Sequence, residues 1–314
     1  MKSFFAANRN SRNEELQSTL LSDKLITLNV KREDLIHDQI SGNKFRKLQY
    51  NIEAARVKGY KKLLTFGGAF SNHIAATAAA GKLFGLETIG VIRGEELGID
   101  LEKTLSQNKT LHYAVSQGMK LHFVDRISYR KKEDESFLAV LRGEFGQFYH
   151  IPEGGTNKLA IQGCKEILTT SDKDFDIICC AVGTGGTISG IIESALPHQK
   201  VLAFPALKGD FIETMIQKYT SKTNFTLIND YHFGGYGKVP IELVTFINTF
   251  HKEHQILLDP VYTGKMMFGL LDLIKSNYFN RNTRILAIHT GGIQGISGVN
   301  QRLKQKNIPQ IKTD

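Results

Sequence analysis

Three glycine-bearing turns in this sequence combine residue types that can do chemistry. The first is Ala181-Val182-Gly183-Thr184-Gly185-Gly186-Thr187-Ile188-Ser189-Gly190, which follows an apolar run and opens an apolar helical stretch. Its glycines let backbone N–H groups turn inward, its hydroxyls add donors and the helix start adds partial positive charge, which together suit a phosphate dianion. A tight strand-to-helix turn has the same composition. The Gly-Lys-Ser/Thr ending of a P-loop is missing, and Gly183, Gly185 and a displaced Gly190 only approximate the dinucleotide fingerprint. The second turn is Thr65-Phe66-Gly67-Gly68-Ala69-Phe70-Ser71-Asn72-His73. Ser71 or Asn72 is a competent N-cap, and the same hydroxyl and N–H groups would equally hold a substrate carboxylate. The third is Ser41-Gly42-Asn43-Lys44-Phe45-Arg46-Lys47-Leu48, a Gly-Asn turn that presents Lys44 at a helix start. Lys47 and the positive helix end would depress its amine from about 10.4, although a lysine so placed is commonly a surface residue. Ser41 to Lys44 also spells S-x-x-K, but the S-D-N and K-T-G partners of the penicillin-recognising enzymes are absent.

Histidines and cysteines add less. His251 and His254 stand three apart on a polar helical stretch without an H-E-x-x-H pattern, so no metal site is expected. His289 ends an apolar run before Thr290-Gly291-Gly292, either as a satisfied edge residue or as one that lines a site. Cys164, Cys179 and Cys180 are an odd number, and the adjacent pair would point to opposite faces of a strand. They read as small apolar core residues in a reducing compartment.

The net charge of +9 permits polyanion binding, but the basic residues are dispersed, and Arg130-Lys131-Lys132 runs directly into Glu133-Asp134-Glu135. A nucleic-acid surface needs clustered charge, so that partner is not expected. Met1 to Arg12 holds a four-residue apolar patch, Phe4 to Ala7, too short for a secretory core. No apolar run approaches the roughly 18 residues that span a bilayer. A cytoplasmic protein without membrane contact is the expectation.

These turns need a scaffold to bring them together. With roughly 150 residues per domain, the 314 residues suggest two domains. Short apolar runs at Leu25 to Val30, Lys62 to Phe66, Thr88 to Ile92, Lys120 to Val124, Asp176 to Val182, Lys200 to Ala203 and Ile285 to His289 alternate with helical periodicity. That rhythm belongs to an α/β protein with parallel sheets. No linker or repeat separates two halves, so a second domain would have to be inserted into the first, with Gly154-Gly155 as a boundary candidate.

The order of the turns now carries weight: a lysine at Gly-Asn, then Gly-Gly-x-x-Ser-Asn, then Gly-Thr-Gly-Gly-Thr, then Thr-Gly-Gly. In this order they resemble the pyridoxal-phosphate enzymes of the tryptophan-synthase-β fold. The resemblance is nearest the branch of 1-aminocyclopropane-1-carboxylate deaminase and D-cysteine desulfhydrase. It is carried by Lys31-Arg32-Glu33-Asp34, Gly42-Asn43-Lys44-x-Arg46-Lys47-Leu48, Asp259-Pro260-Val261-Tyr262-x-Gly264-Lys265 and His289-Thr290-Gly291-Gly292, and it spans about residues 25 to 300. It implies two doubly wound parallel-sheet domains, a large one of residues 1–46 and 156–314 and a smaller inserted one of residues 47–155, with pyridoxal 5'-phosphate between them and a homodimer as the assembly.

For the site the resemblance implies Lys44 as the lysine that links the cofactor and moves the α-proton. Lys47 and Gly183, Thr184, Gly185, Gly186 and Thr187 would hold the phosphate, and Asn72 the ring hydroxyl. Ser71 with the Asn72 and His73 backbone would hold the substrate carboxylate, Tyr236 and Tyr262 would flank a small amino-acid substrate, and either Thr290, counted with the cofactor-binding residues, or Thr263 would face the ring nitrogen. Tyr231 is the alternative to Tyr236. The deaminases resembled here carry Glu after the D-P-V-Y tyrosine, Leu before the late Gly-Gly and Gln where this chain has His73; here Thr263 and Thr290 replace the first two. Neutral hydroxyls in those places favour β-elimination of thiolate from D-cysteine over opening of the cyclopropane.

Overall fold

The β-branched and apolar runs form ten strands among the residues that the computed structural model describes, 4–5, 11–209 and 211–313. They are β1 (Asn13–Glu15), β2 (Thr27–Lys31), β3 (Lys62–Gly68), β4 (Glu87–Arg93), β5 (Met119–Val124), β6 (Tyr149–Ile151), β7 (Ile177–Val182), β8 (Lys200–Pro205), β9 (Phe225–Leu227) and β10 (Arg284–Ile288). They build a six-stranded sheet in the order β1-β2-β10-β7-β8-β9 and a four-stranded sheet in the order β5-β4-β3-β6. All pairings are parallel except β1 with β2, an antiparallel edge that the expected rhythm did not contain.

Helices cover both faces, which is why the strands are apolar on both sides. The alternation at Cys179-Cys180 shows this directly. Cys179 packs with Leu28, Leu202 and Phe204 on one face of the large sheet, and Cys180 with Ile188, Ile191 and Val201 on the other. All three cysteines are free and buried.

Helix Asn43–Val57 places Phe45, Leu48 and Ile52 in the core of the small sheet, beside Leu63, Ala76 and Ile151. Its other side meets helix Lys158–Cys164 so closely that a Cβ on Gly163 would sit 2.0 Å from the Arg46 carbonyl oxygen. This helix packs as far as Cys164 and then gives way to irregular chain. Of the N-terminal patch Phe4 to Ala7, only Phe4 and Phe5 are described; Phe5 is buried against Phe45 and Phe84, and the remaining patch lies outside the described residues. No helix among the described residues is long and apolar enough to cross a membrane.

Candidate active site

The carboxyl ends of β2, β3, β7 and β10 lead into the turns singled out by sequence, which is where ligands bind in open parallel sheets. At Gly42 the chain adopts φ +63, and a Cβ there would lie 2.0 Å from the Thr290 carbonyl oxygen. Only glycine fits so strained and close an approach. The Asn43 N–H donates to that same oxygen at 3.1 Å, tying the start of the Lys44 helix to the turn after β10. A Gly42→Ala protein is therefore expected to lose about 2 kcal/mol or more of stability, measured by urea unfolding, because strain and overlap combine.

The Lys31-Arg32-Glu33-Asp34 run fixes this corner by charge. Lys31 holds Asp172 at 2.8 Å with both side chains buried, Arg32 holds Asp34 and Glu14, and Glu33 takes two hydrogen bonds from Arg46 at 2.9 and 2.8 Å. His289 proves a satisfied structural residue. Its Nε2 bonds the Leu257 carbonyl oxygen at 2.8 Å and its Nδ1 accepts from the Gly291 N–H at 3.2 Å.

Lys44 hydrogen-bonds the Asn43 side-chain oxygen at 3.0 Å. Burial among its neighbours, with the charge of Lys47 adding to it, lowers its amine from 10.5 to about 7. Lys47 is buried and donates to the Gly154 carbonyl oxygen at 3.1 Å, to Thr156 at 3.0 Å and to Thr184 at 3.4 Å. Asn43 donates to Thr187 at 2.8 Å. The first glycine-rich turn is thus lined by an ammonium and three hydroxyls at the start of helix Gly186–Ser194. A Cβ on Gly186 would lie 2.9 Å from Thr156 and 3.3 Å from the Lys47 amine, so the missing side chain leaves the cradle open. Gly185 faces Met215 instead.

Across the cleft, Ser71 caps helix Asn72–Phe84, its hydroxyl accepting from the Ile74 N–H at 3.4 Å. Asn72 reaches the Gly292 carbonyl oxygen at 3.4 Å, while its own Oδ1 is buried without a partner. An acceptor left bare in the interior costs stability and so marks a place for a donor from a ligand. His73 is also buried. The Thr65 hydroxyl has one proton, given to the Ile151 carbonyl oxygen at 2.8 Å, so it accepts from His73 Nε2–H at 2.8 Å and leaves Nδ1 a bare acceptor. Burial, then the charges of Lys44 and Lys47, hold the His73 pKa well below 6.5, so this histidine stays neutral.

The two tyrosines meet at a ring separation of 6.1 Å. Tyr262 lies on Gly183, where a Cβ would be 2.9 Å from its ring. It is held by Asp259, whose carboxylate accepts from the N–H groups of Val261, Tyr262 and Thr263 and from the Thr263 hydroxyl. Thr263 in turn accepts from the Asp259 N–H at 3.0 Å, so its hydroxyl is fully engaged within this turn. Partial desolvation raises both phenols, and Tyr262, half-buried, more than Tyr236, which is 56% exposed; interaction between the hydroxyls lowers Tyr236 and raises Tyr262, which makes Tyr236 the better proton donor. Tyr231, the alternative from sequence, donates to Asp272 at 2.8 Å and packs on Gly269, away from Tyr262.

Sequence reasoning missed the group that places Tyr236. Residues 233–237 include four with positive φ, Phe233, Gly234, Gly235 and Gly237. Buried Lys265 donates to the carbonyl oxygens of His232 and Gly235 at 2.9 and 2.8 Å, clamping this loop to helix Thr263–Lys275. Burial lowers its amine to about 8. The available signal was a lysine one turn after Tyr262 on a face otherwise apolar.

Comparison with known proteins agrees with this geometry. The model of the family "Pyridoxal-phosphate dependent enzyme" matches residues 15–291. A Pyrococcus horikoshii protein provisionally named 1-aminocyclopropane-1-carboxylate deaminase is 33% identical over 283 residues, 85% of this chain and 84% of that one. An Arabidopsis thaliana protein named as a bifunctional D-cysteine desulfhydrase/1-aminocyclopropane-1-carboxylate deaminase is 30% identical over 85% of this chain and 72% of its own. A solved structure described as an ACC deaminase homologue superposes with a TM-score of 0.78 at 29% identity, covering 94% of this chain and 93% of that one. An ammonium among hydroxyls, an open glycine cradle and a bare Asn72 acceptor fit a phosphorylated pyridine with a ring hydroxyl. The chain belongs to the pyridoxal-phosphate-dependent enzymes, as a lyase of the 1-aminocyclopropane-1-carboxylate deaminase and D-cysteine desulfhydrase family.

Proposed function

We propose that this lyase eliminates thiol from D-cysteine, converting D-cysteine and water to pyruvate, hydrogen sulfide and ammonia. The observation that carries this reading is the Thr263 hydroxyl, spent on Asp259 where the resembled deaminases have a carboxylate after the tyrosine. Thr290, whose hydroxyl has no hydrogen bond among the described residues, is then the group offered to the ring. When bound, the cofactor supplies an electron sink for the charge left by loss of an α-proton. A threonine holds a ring proton less firmly than a carboxylate does, which suffices for expelling thiolate and disfavours cleavage of a carbon–carbon bond.

In this reading Lys47 and the turn Gly183 to Thr187 hold the phosphate, and Asn72 Oδ1 accepts from the ring hydroxyl. Ser71 with the N–H groups of Asn72 and His73 binds the substrate carboxylate. Lys44, with its amine near 7, takes the α-proton as a base matched to neutral pH. Tyr236, the more acidic phenol, protonates the departing sulfur, and Tyr262 orients it. Ring opening of 1-aminocyclopropane-1-carboxylate is the second reading, favoured by the same tyrosine pair and by the relatives' names. Equimolar sulfide and pyruvate from D-cysteine, with L-cysteine as control, tests the first.

The division into domains of residues 1–46 with 156–314 and of 47–155 is proposed with it, supported by the confinement of the four-stranded sheet to residues 62–151. Three buried thiols support a cytoplasmic location. A homodimer follows from the family resemblance and is read by light scattering.

The Lys44 value also sets a pH dependence. Only the neutral amine captures added pyridoxal phosphate, so the capture rate of cofactor-free protein is expected to rise about tenfold per pH unit below about 7 and to level off above it. Stopped-flow absorbance at fixed cofactor measures it; a rate still climbing through pH 9 contradicts the assignment.

A further inference from the structure

A second cavity of about 450 Å³ lies at the carboxyl edge of the small sheet, within the size range of small-molecule sites. Gly68 and Ala69 line it at the end of β3, and Arg93 at the end of β4. Two carboxylates in its wall are already matched: Arg126 holds Glu96 at 2.6 Å and Lys132 holds Glu153 at 3.4 Å. Arg93 and Arg130 also line the cavity and hold no carboxylate among the described residues. The Arg93 guanidinium lies over the Tyr129 ring, 5.6 Å from its centroid, an arrangement that restricts the side chain before any ligand arrives. The same wall reaches the reaction cleft. A Cβ on Gly68 would lie 3.7 Å from the Arg93 guanidinium, and the Gly68 carbonyl oxygen accepts from the Ser71 N–H at 3.0 Å. Tyr129 donates to Glu153 at 2.7 Å, and the next residue, Gly154, lies against Thr184 of the glycine-rich turn.

D-Cysteine does not need this cavity, since its single carboxylate is assigned to Ser71. We propose that the cavity receives the anionic tail of a larger substrate, a β-thio-substituted amino acid whose sulfur carries a chain ending in a carboxylate, recognised by Arg93 with Arg130. This rests on the elimination reading and extends it. The α-proton goes to the base, the Cβ–S bond breaks, and the electron pair leaves on sulfur, which is then protonated. Water converts the remaining three-carbon fragment to pyruvate and ammonia, so S-carboxymethyl-D-cysteine yields thioglycolate, pyruvate and ammonia.

The test compares S-carboxymethyl-D-cysteine with its neutral amide, S-carbamoylmethyl-D-cysteine, on cofactor-loaded protein, scoring thiol and pyruvate together. Wild type is expected to prefer the carboxylate by about 10- to 100-fold in kcat/KM, the range of a charge-assisted contact. The preference should fall toward one in Arg93→Met and survive in part in Arg93→Lys. Equal use of the two compounds by wild type, or a preference unchanged by Arg93→Met, overturns the proposal. If no thiol is released from either, calorimetric binding to the loaded protein decides. Tighter, Arg93-dependent binding of the carboxylate keeps the cavity as a binding site and removes elimination of these larger compounds, with sulfide from D-cysteine in the same preparation deciding the elimination reading itself, whereas equal or absent binding removes the cavity assignment.

Discussion

A Lys44→Ala protein is expected to lose about 10³- to 10⁴-fold in turnover and to lose the visible absorbance that a cofactor linked to lysine gives. On the proposed reading, removing one amine deletes both the covalent anchor and the base for the α-proton. The fold should survive. In wild type this amine sits in a buried place, repelled by Lys47, and its lowered pKa means that charging it works against the folded state. The sign follows: the folded amine binds a proton less readily than the unfolded one, so cofactor-free wild type gains stability as pH rises from about 7 toward 10. Lys44→Ala should lack that gain while melting no lower than wild type at neutral pH. A variant that keeps the absorbance, or that loses activity only by unfolding, would remove Lys44 from its role.

Arg46→Met should be the most damaging change to stability, at about 3–5 kcal/mol, or roughly 10 °C in melting temperature. Arg46 and Glu33 are both fully buried and share two hydrogen bonds. Methionine would leave the Glu33 carboxylate with the Ser11 hydroxyl at 2.5 Å as its remaining side-chain partner among the described residues. Because Arg46 lies between Lys44 and Lys47 on one helix turn, loosening it should also reduce cofactor content. The paired replacement Arg46→Met with Glu33→Leu should recover most of the stability, since an apolar pair costs less than an orphaned charge. Urea unfolding of the two single variants and the double variant measures the coupling. Additive losses would show that the pair is not a unit.

Local pattern made much of this legible. Strands β3, β4, β7, β8 and β10 are largely apolar runs, and the turns at Gly67 and Gly183 stand where β3 and β7 end, so the placing of these turns at the carboxyl ends of the strands could be read from order and spacing. What the sequence withheld depends on which side chains meet. Lys31, Arg32, Glu33 and Asp34 carry the family resemblance in one dimension, but their pairing with Asp172, Glu14 and Arg46 is set by the fold alone. That Tyr236 rather than Tyr231 meets Tyr262 depends on the Lys265 clamp, a contact across about thirty residues of which the sequence shows only a lysine on an otherwise apolar face. Thr263 and Thr290 look equivalent in one dimension; only the closed ring of bonds between Thr263 and Asp259 separates them. The short edge strands β1, β6 and β9 were missed because three residues show no periodicity and are held by their neighbours.

The central claim is most directly tested by giving cofactor-loaded wild type D-cysteine and 1-aminocyclopropane-1-carboxylate in parallel, and following sulfide and 2-oxo acid in each. Thr263 tied to Asp259, with Thr290 left to face the ring, predicts sulfide and pyruvate in equal amounts from D-cysteine and no 2-oxobutanoate above the cofactor-free control. Steady formation of 2-oxobutanoate from the cyclopropane, with no sulfide from D-cysteine, would contradict it.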